Sequence, residues 1–496
     1  MISRRAMISF PWVWAATASV PRSARARSQY QAVTIGLSLR PDSLDPTRAP
    51  AAAIGEVVHC NIFEGLTKVL EDSQVVPCLA SHWDISDDRL RYRFSVRPGV
   101  LFHDGSRLDA AVVASSLLRA QALGTANKLV ETWQNMATVR ALDAQTVEIT
   151  LRHADPFLTF RLGEPPAAIL HPETAGQAVH HPIGTGPYRF VRRGADGEVE
   201  LVRWSEFRDT NAAAIPAASF HFISNPAEQI RAIHAGELDA LFAAASGSLD
   251  GVMNLSDYEV LLGSSSGKGL VAINHRRPPL NDARVRRALT MAIDREAFIR
   301  EVQHRYGVAI GSHFAPSESD FLNLTAVNPY DPAQARSLLR EAGVRAPLTL
   351  DLALPPTPYA LRGGPVVVRY LRAVGVQARL VPMSWEAWMA QVFRGHFDLS
   401  LILHVEPLDY AIYARPDYYF GYDSAEFRAL VVNHAISGNP REQHRLFRQI
   451  QRKLADDAAS AWIFTPQIGS VTRKGLKGVP MNLPLFTHDV GAMYWV

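Results

Sequence analysis

Residues 348–383 have the sequence "LTLDLALPPTPYALRGGPVVVRYLRAVGVQARLVPM". Side chains alternate in character along 348–354, and residues 376–383 form a second strand-like run, as expected for β-strands. Between them, residues 363–375 have the spacing of a helix. A strand, a helix and a strand in succession predict a parallel βαβ unit, since a crossover helix returns the chain to the same sheet.

The alternation of helices and strands continues on both sides of this unit. A helix is predicted at 385–395 and a strand at 397–403. On the N-terminal side, "DARVRRALTMAIDREAFIREV" (282–302) predicts one long amphipathic helix that begins at Asp282. The succession predicts the α/β class for this half of the chain.

Length and composition limit the classes of protein to consider. The chain has 496 residues, enough for about three domains. Hydrophobic residues make up 47%, charged residues 20%, and the formal net charge is +3, which is typical of an ordinary globular protein. Basic residues are spread along the chain, so no nucleic-acid-binding arm is indicated. No long uncharged apolar run follows residue 30, so no membrane span is predicted there.

The first thirty residues have the order of an export leader. Arg4 and Arg5 precede an apolar stretch from Ala6 to Val20, and small residues follow. The start loosely resembles a twin-arginine signal, and the Sec route remains the alternative. An incorrectly assigned start would also explain the pattern. Because this leader has no cysteine, we expect a periplasmic protein that is exported without a lipid anchor.

The two cysteines, Cys60 and Cys78, allow two interpretations. A disulfide is permitted in an exported protein. Two buried free thiols are the alternative, since free cysteines behave as small apolar residues. A zinc site is not expected, because no further ligands lie at zinc spacing.

Eight motifs in order resemble one family. They are "DSLDP" (42–46), "NIFEGLTKV" (61–69), the run from "VVPCLASHWDIS" to "SSLLR" (75–119), "HPIGTGPYRF" (181–190), "HAGELDALF" (234–242), "PPLNDARVRRALTMAIDRE" (278–296), "YDPAQARSLLREAG" (330–343) and "HFDLSLI" (396–402). The chain resembles, from about residue 33 to 470, the family 5 extracytoplasmic solute-binding proteins of peptide, nickel and opine ABC importers.

The resemblance implies an α/β fold of two lobes that close on a ligand, which is the type II periplasmic-binding-protein fold of cluster C. Lobe 1 would comprise 33–77, 184–269 and 474–496, with an inserted subdomain at 78–183, and lobe 2 would comprise 270–473. The implied function is capture of a small solute and delivery to a membrane permease. A monomer without catalysis, cofactor or nucleic acid is expected.

The ligand site is predicted in the stretch that follows strand 397–403. Peptide-binding relatives carry in this region an Asp that receives the ligand's ammonium group, and the nearest match is Asp409. Arg415 offers a planar fork for a carboxylate. Five tyrosines offer flat faces and hydroxyls, namely Tyr410, Tyr413, Tyr418, Tyr419 and Tyr422. This set suits a small zwitterion such as a peptide, an opine or a modified amino acid. Alternatively, Asp409 and Arg415 pair with each other and the tyrosines line the lobe interface.

Four further residues are weaker site candidates. Arg161 is a second possible carboxylate partner, and Trp133 and Trp385 are possible cleft walls, although packing explains each tryptophan equally well. Nickel-binding relatives use a His in the region of His404. A lone His beside a Glu is more often structural, so no metal is assigned.

Rival functions have weaker support. The sequence contains no H-E-x-x-H and no G-x-S-x-G motif. "GSSSGKG" (263–269) has three residues between its first two glycines where a phosphate-binding loop has four, and Gly269 stands where Ser or Thr is needed. The alternatives left open are a metal–chelate-binding protein of the same family and a periplasmic enzyme or sensor built on this fold.

Overall fold

The structure is a computed structural model that describes residues 32–48, 52–244, 249–318 and 320–496. The predicted export leader lies outside the described residues. Within the described ranges, no helix combines the length and the apolar character needed to cross a bilayer.

Lobe 1 is built on a mixed sheet. Strand Ala32–Leu37 is parallel to Ala217–Phe222 on one side and to Ala240–Ala244 on the other. Its remaining strands are Thr67–Val69, Val75–Pro77, Tyr188–Arg193, Val199–Arg203, Tyr258–Ser264, Leu476–Lys477 and Tyr494–Trp495, and its helices are Ala52–Val58 and Pro226–His234. Residues from the C-terminal return, including Leu476 and Met493, are buried in the same core as Val33 and Ile35.

The inserted subdomain has its own sheet and core. Four antiparallel strands, in the order Ala80–Ile85, Arg91–Val96, Thr146–Leu151 and Met136–Ala141, form the sheet. The helices are Ala110–Ala122, Val130–Asn135 and Leu158–Arg161. Asp109 caps the first of them, because its side chain accepts a hydrogen bond from the Val112 N–H.

Lobe 2 contains the predicted βαβ unit. Strands Leu348–Leu354 and Val376–Pro382 are parallel neighbours in register, and helix Pro358–Ala373 connects them. The prediction from the opening stretch is therefore confirmed. A side chain at Gly363 would meet Phe298 and Leu401, so this glycine lets the helix approach the sheet closely.

The other elements of lobe 2 complete the sheet and cover it. The strands are Lys268–Ile273, Gly307–Ala309 and Leu399–His404, and the helices are Ala283–Met291, Arg295–Val302, Pro332–Glu341, Trp385–Gln391, Ala425–Ile436 and Pro440–Asp456. The single helix predicted at 282–302 is divided in two. Asp294 causes the break, because its side chain caps the second helix by accepting from the Ala297 N–H.

One long strand, Ala461–Arg473, belongs to both lobes. Residues 461–466 pair with Lys268–Ile273 and Gly307–Ala309, whereas residues 467–473 pair with Tyr258–Ser264 of lobe 1. The chain therefore crosses between lobes inside this strand, although the sequence-based division assigned the whole strand to lobe 2. Alternating strands do not reveal such a crossing, since each half satisfies the same two-residue period.

Both cysteines are free thiols. Burial raises the pKa of the Cys60 thiol to about 12. The free-thiol interpretation holds in this structure, and each thiol is protonated at neutral pH.

Candidate functional site

A cavity of about 930 Å³ lies between lobe 2 and the inserted subdomain. Lobe 2 contributes the segment that follows strand Leu399–His404, and the subdomain contributes two segments near residues 128–135 and 152–164. The predicted site residues Arg161, His404, Asp409, Tyr410, Arg415 and Tyr418 all line this one cavity. The structure thus brings together candidates from two distant parts of the chain.

The segment after the strand folds back sharply. Leu408 adopts a left-handed backbone conformation with φ of 55°, and a 3₁₀ helix then runs over Asp409–Ala414. The turn points Tyr410 and Tyr413 into the interior, where both are almost fully buried. Asp409 is held at the base of the cavity by this turn.

Asp409 is surrounded by protein donors. Its Oδ1 lies 2.8 Å from Lys268 Nζ and 2.9 Å from His313 Nε2, and its Oδ2 lies 3.4 Å from His404 Nδ1. Lys268 is fully buried and also donates to the Glu406 carbonyl oxygen. The alternative pair between Asp409 and Arg415 does not form, because Lys268 occupies the carboxylate.

The charges of this cluster support one another. Burial opposes ionisation of Asp409, but the Lys268 ammonium and His313 hold the pKa of this carboxyl well below its usual value. Burial likewise opposes the Lys268 charge, but the carboxylates of Asp409 and Glu318 raise the pKa of this amine. Lys268 and Asp409 are therefore both charged, and each is the other's counter-ion.

Two histidines beside Asp409 have metal-ligand spacing. One ligand atom each of His313, His404 and Asp409 lies within 4.8 Å of the others. Trp462 Nε1 donates to His313 Nδ1 at 3.4 Å, so His313 carries its proton on Nε2 and donates it to Asp409. That proton and the adjacent Lys268 ammonium disfavour a divalent cation here, so the residues fit a hydrogen-bonded cluster better than a metal site.

Charged residues bridge the two walls of the cavity. Arg415 of lobe 2 lies 2.8 Å from Glu131 of the subdomain, and its guanidinium stands over the Tyr418 ring. Lys128 of the subdomain lies 3.9 Å from Glu406 of lobe 2. Both pairs are solvent-exposed, so each holds the lobes together only weakly.

Arg161 lies on the subdomain wall of the cavity. Its guanidinium contacts Glu164 at 3.1 Å. Burial works against its charge, but Glu164 and Asp155 keep the pKa of this guanidinium above its ordinary value. Arg161 is therefore a charged group with one carboxylate partner and with free donors, since a guanidinium carries five N–H groups.

The five tyrosines divide into two groups. Tyr410 and Tyr418 line the cavity. The other three are buried behind it, and their hydroxyls bond to Ser460, His404 and Asp457 in the order Tyr413, Tyr419 and Tyr422. The buried three belong to an aromatic core that includes Phe420 and Trp462, so they support the site from behind.

Neither tryptophan candidate lines the cavity. Trp133 is buried in the core of the inserted subdomain with Phe94 and Phe102. Trp385 is 46% exposed on a helix of lobe 2 and packs edge-on against Trp388. Packing accounts for both residues.

Sequence reasoning missed the partners of Asp409, namely Lys268, His313 and Glu318. One signal for Lys268 was available, because it interrupts the run "GKGLVAIN" in a chain that otherwise uses arginine. A lysine at the start of an apolar strand is buried only with a counter-ion. No local signal identified that counter-ion, since Asp409 is 141 residues away in the sequence.

Two lobes that share a strand and enclose a cavity define the class of two-lobed solute-binding proteins. The family model for bacterial extracellular solute-binding proteins, family 5, matches residues 74–426. The chain belongs to this family, and the resemblance inferred from the eight motifs is confirmed.

Curated relatives bind small peptides. The glutathione-binding protein GsiB of Pectobacterium atrosepticum is 29% identical over 351 residues, and the match covers 68% of this chain and 63% of the relative. Di/tripeptide-binding protein 1 of Pseudomonas aeruginosa is 25% identical over 399 residues, which cover 73% of each chain. The match to GsiB thus spans less than two thirds of that protein's length.

Solved structures share the fold at lower identity. HbpA2 of Haemophilus parasuis aligns with a TM-score of 0.84 at 20% identity, covering 94% of this chain and 100% of that one. The unliganded open form of the murein tripeptide-binding protein MppA aligns with a TM-score of 0.82 at 19% identity, covering 94% and 98%. These similarities confirm the predicted periplasmic-binding-protein fold.

Proposed function

We propose that this protein is the substrate-binding component of an ABC importer, which captures a small zwitterionic solute between its lobes and delivers it to a membrane permease. The observation that carries the proposal is the cavity of about 930 Å³ between lobe 2 and the inserted subdomain. Its volume is within the range of small-molecule sites, about 300–1,000 Å³. Family membership supports an extracytoplasmic location.

The lining of the cavity supports a ligand with both charges. Arg161 and Arg415 supply guanidinium groups, while Glu131 and Glu406 supply carboxylates. Tyr410, Tyr418 and Phe157 add aromatic surface. A peptide, an opine or a modified amino acid would use all three kinds of contact. We propose Arg161 and Arg415 as partners for the ligand's carboxylate, since each has donors beyond its present bond.

Asp409 enters the proposal in a changed role. A ligand ammonium could reach this carboxylate only by displacing or sharing Lys268 and the two histidines. We therefore propose that Asp409 organises the base of the cavity and that the ligand contacts the residues around it. A metal–chelate ligand receives no support from the cluster, because the bound proton of His313 and the Lys268 ammonium occupy the positions a metal would need.

The proposal also includes no catalysis, a monomeric state and no cofactor. Capture needs only closure of the lobes around a solute, which is a recognised hinge mechanism. The exposed bridges Arg415–Glu131 and Lys128–Glu406 suit such reversible closure, since exposed ion pairs contribute little energy.

Native mass spectrometry of protein purified from its own host tests the proposal. We expect a co-purified small molecule that carries both an amine and a carboxylate. Calorimetric titration with a panel of di- and tripeptides and with glutathione, followed by small-angle scattering, should show binding and compaction together. A protein that binds no member of the panel, or that keeps its radius of gyration when ligated, would overturn the proposal.

A further inference from the structure

A second cavity, of about 490 Å³, adjoins the first. The two share Lys128, Glu164 and Pro407 on their walls. Lobe 1, lobe 2 and the C-terminal return all contribute to the second cavity, so it is complete only when the lobes are closed. Its walls are mostly apolar, and they include Leu39, Pro166, Val405, Pro484, Leu485 and Phe486.

Glu56 lies on the wall of this apolar cavity. It belongs to helix Ala52–Val58 of lobe 1, and only 7% of its surface is exposed. Among the residues that the structure describes, no side chain or backbone group forms an ion pair or a hydrogen bond with it. Burial raises the pKa of this carboxyl to about 7, and no neighbouring charge offsets the shift.

The other buried carboxylates near the cleft all have cationic partners. Asp409 contacts Lys268, Glu164 contacts Arg161, and Glu64 forms a two-pronged bond with Arg208. A buried carboxylate without a partner is unfavourable unless a partner arrives. Glu56 therefore differs from its neighbours in a way that the fold itself does not explain.

We propose that Glu56 receives the ammonium group of the ligand, and that the apolar part of the ligand next to this ammonium fills the second cavity. This inference deepens the proposed function and rests on it. The ligand would then span both cavities, with its amine on Glu56 of lobe 1 and its carboxylate near Arg161. The ligand class is a primary amine that bears an apolar group close to the nitrogen.

The other charges on this cavity are already engaged. Lys128 lies 3.9 Å from Glu406, and Glu164 is bonded to Arg161. Neither group contributes to the shift of the Glu56 pKa. A protonated carboxyl cannot form an ion pair, so the preference for a cation should strengthen as pH rises through about 7 and weaken below it.

The test uses two small probes of the same shape. These are 3-methylbutylamine, which is a cation at pH 8, and the neutral 3-methyl-1-butanol. Chemical-shift titration of methyl-labelled protein reports binding at Leu39, Val405 and Leu485, which line the cavity. We expect the amine to bind wild-type protein at least tenfold more tightly than the alcohol at pH 8, and the difference to shrink at pH 5.5.

Two variants decide the outcome. Glu56→Gln keeps the shape of the side chain and should abolish the preference for the amine. Glu237→Gln removes one negative charge from an exposed position outside both cavities, where Glu237 pairs with Arg231, and it should leave the preference intact. Equal binding of the two probes, absence of saturable shifts at these methyl groups, or a preference that survives in Glu56→Gln would overturn the inference.

The proposed function has a separate readout. A protein that binds peptides and compacts, but shows no Glu56-dependent preference for the amine, would overturn this inference and leave the importer proposal standing. A protein with the amine preference that binds no peptide would overturn the proposed ligand class instead.

Discussion

Two carboxylates in the cleft have opposite surroundings. Asp409, in lobe 2, accepts from Lys268 and His313 and lies near a third donor on His404. Glu56, in lobe 1, has no partner among the described residues, and burial raises its pKa to about 7. The comparison teaches that a carboxylate in a binding cleft is not thereby a ligand contact. A charge that the protein has already compensated supports the fold, whereas an uncompensated one is available to a ligand.

The largest expected effect breaks the Asp409 side of the comparison. Lys268→Met removes a fully buried cation and leaves Asp409 charged without its main counter-ion. Loss of one partner of a buried pair destabilises a protein by about 3–5 kcal/mol. Chemical denaturation of the unligated protein measures this loss.

Two further variants separate the pair from its surroundings. Lys128→Met, an exposed position on the cavity rim, should change the free energy of unfolding by about 0.5 kcal/mol or less. The double variant Lys268→Met with Asp409→Asn should lose less than the sum of the single variants, because the second change removes the uncompensated charge. Additive losses would show that the two residues are not coupled.

The second prediction concerns the stability of Glu56 against pH. Its carboxyl holds a proton more tightly in the folded state than in the unfolded one, so wild-type stability falls as pH rises from about 4.5 to about 7. Glu56→Gln avoids this loss. We expect the variant to be more stable than wild type by about 3 kcal/mol at pH 8 and by less than about 1 kcal/mol at pH 5.

Urea denaturation at the two pH values checks this prediction, with Glu237→Gln as the control. The control should follow wild type at both values, since its carboxylate is exposed. A Glu56→Gln variant that is less stable than wild type at pH 8 would mean that Glu56 has a stabilising partner in the folded protein.

The third effect is smaller and concerns closure of the lobes. Arg415→Ala removes the exposed bridge to Glu131, and exposed pairs contribute about 0.2–1 kcal/mol. We expect ligand affinity to fall by up to about fivefold through this bridge, with a further loss where Arg415 holds the ligand's carboxylate. Glu131→Gln breaks the same bridge without touching that carboxylate, so the ratio of the two affinities isolates the direct contact.

The smallest effect is expected at Trp385. This side chain is 46% exposed and lines neither cavity. Trp385→Ala should leave peptide affinity within about twofold of wild type, because surface changes away from a site are usually small. A tenfold loss of affinity by calorimetry would return Trp385 to the binding surface.

The sequence contained most of the fold because its signals are local. The period of residues 348–383 and Asp109 as a helix cap each depend on neighbours a few residues away, and the structure has them as predicted. The division of the helix at Asp294 was missed although its signal was local, since an aspartate inside an apolar pattern caps a helix as readily as it continues one.

The candidate site was predicted only in part, because its contacts are distant in sequence. The aromatic and charged composition of residues 409–422 indicated the right region, but which tyrosines face the cavity depends on the turn at Leu408. Lys268, His313 and Glu56 come from three other segments. Glu56 in particular gave no signal, since a lone glutamate in a short helix is ordinary until its burial is known.

The most direct test compares the two carboxylates with one ligand. The tightest-binding member of the peptide panel is titrated by calorimetry at pH 8 into wild type, Glu56→Gln and Asp409→Asn, each below its melting temperature. We predict that Glu56→Gln weakens binding at least tenfold, about 1.4 kcal/mol, and more than Asp409→Asn does. A hundredfold loss in Asp409→Asn beside unchanged affinity in Glu56→Gln would contradict the account and place the ligand's ammonium on Asp409.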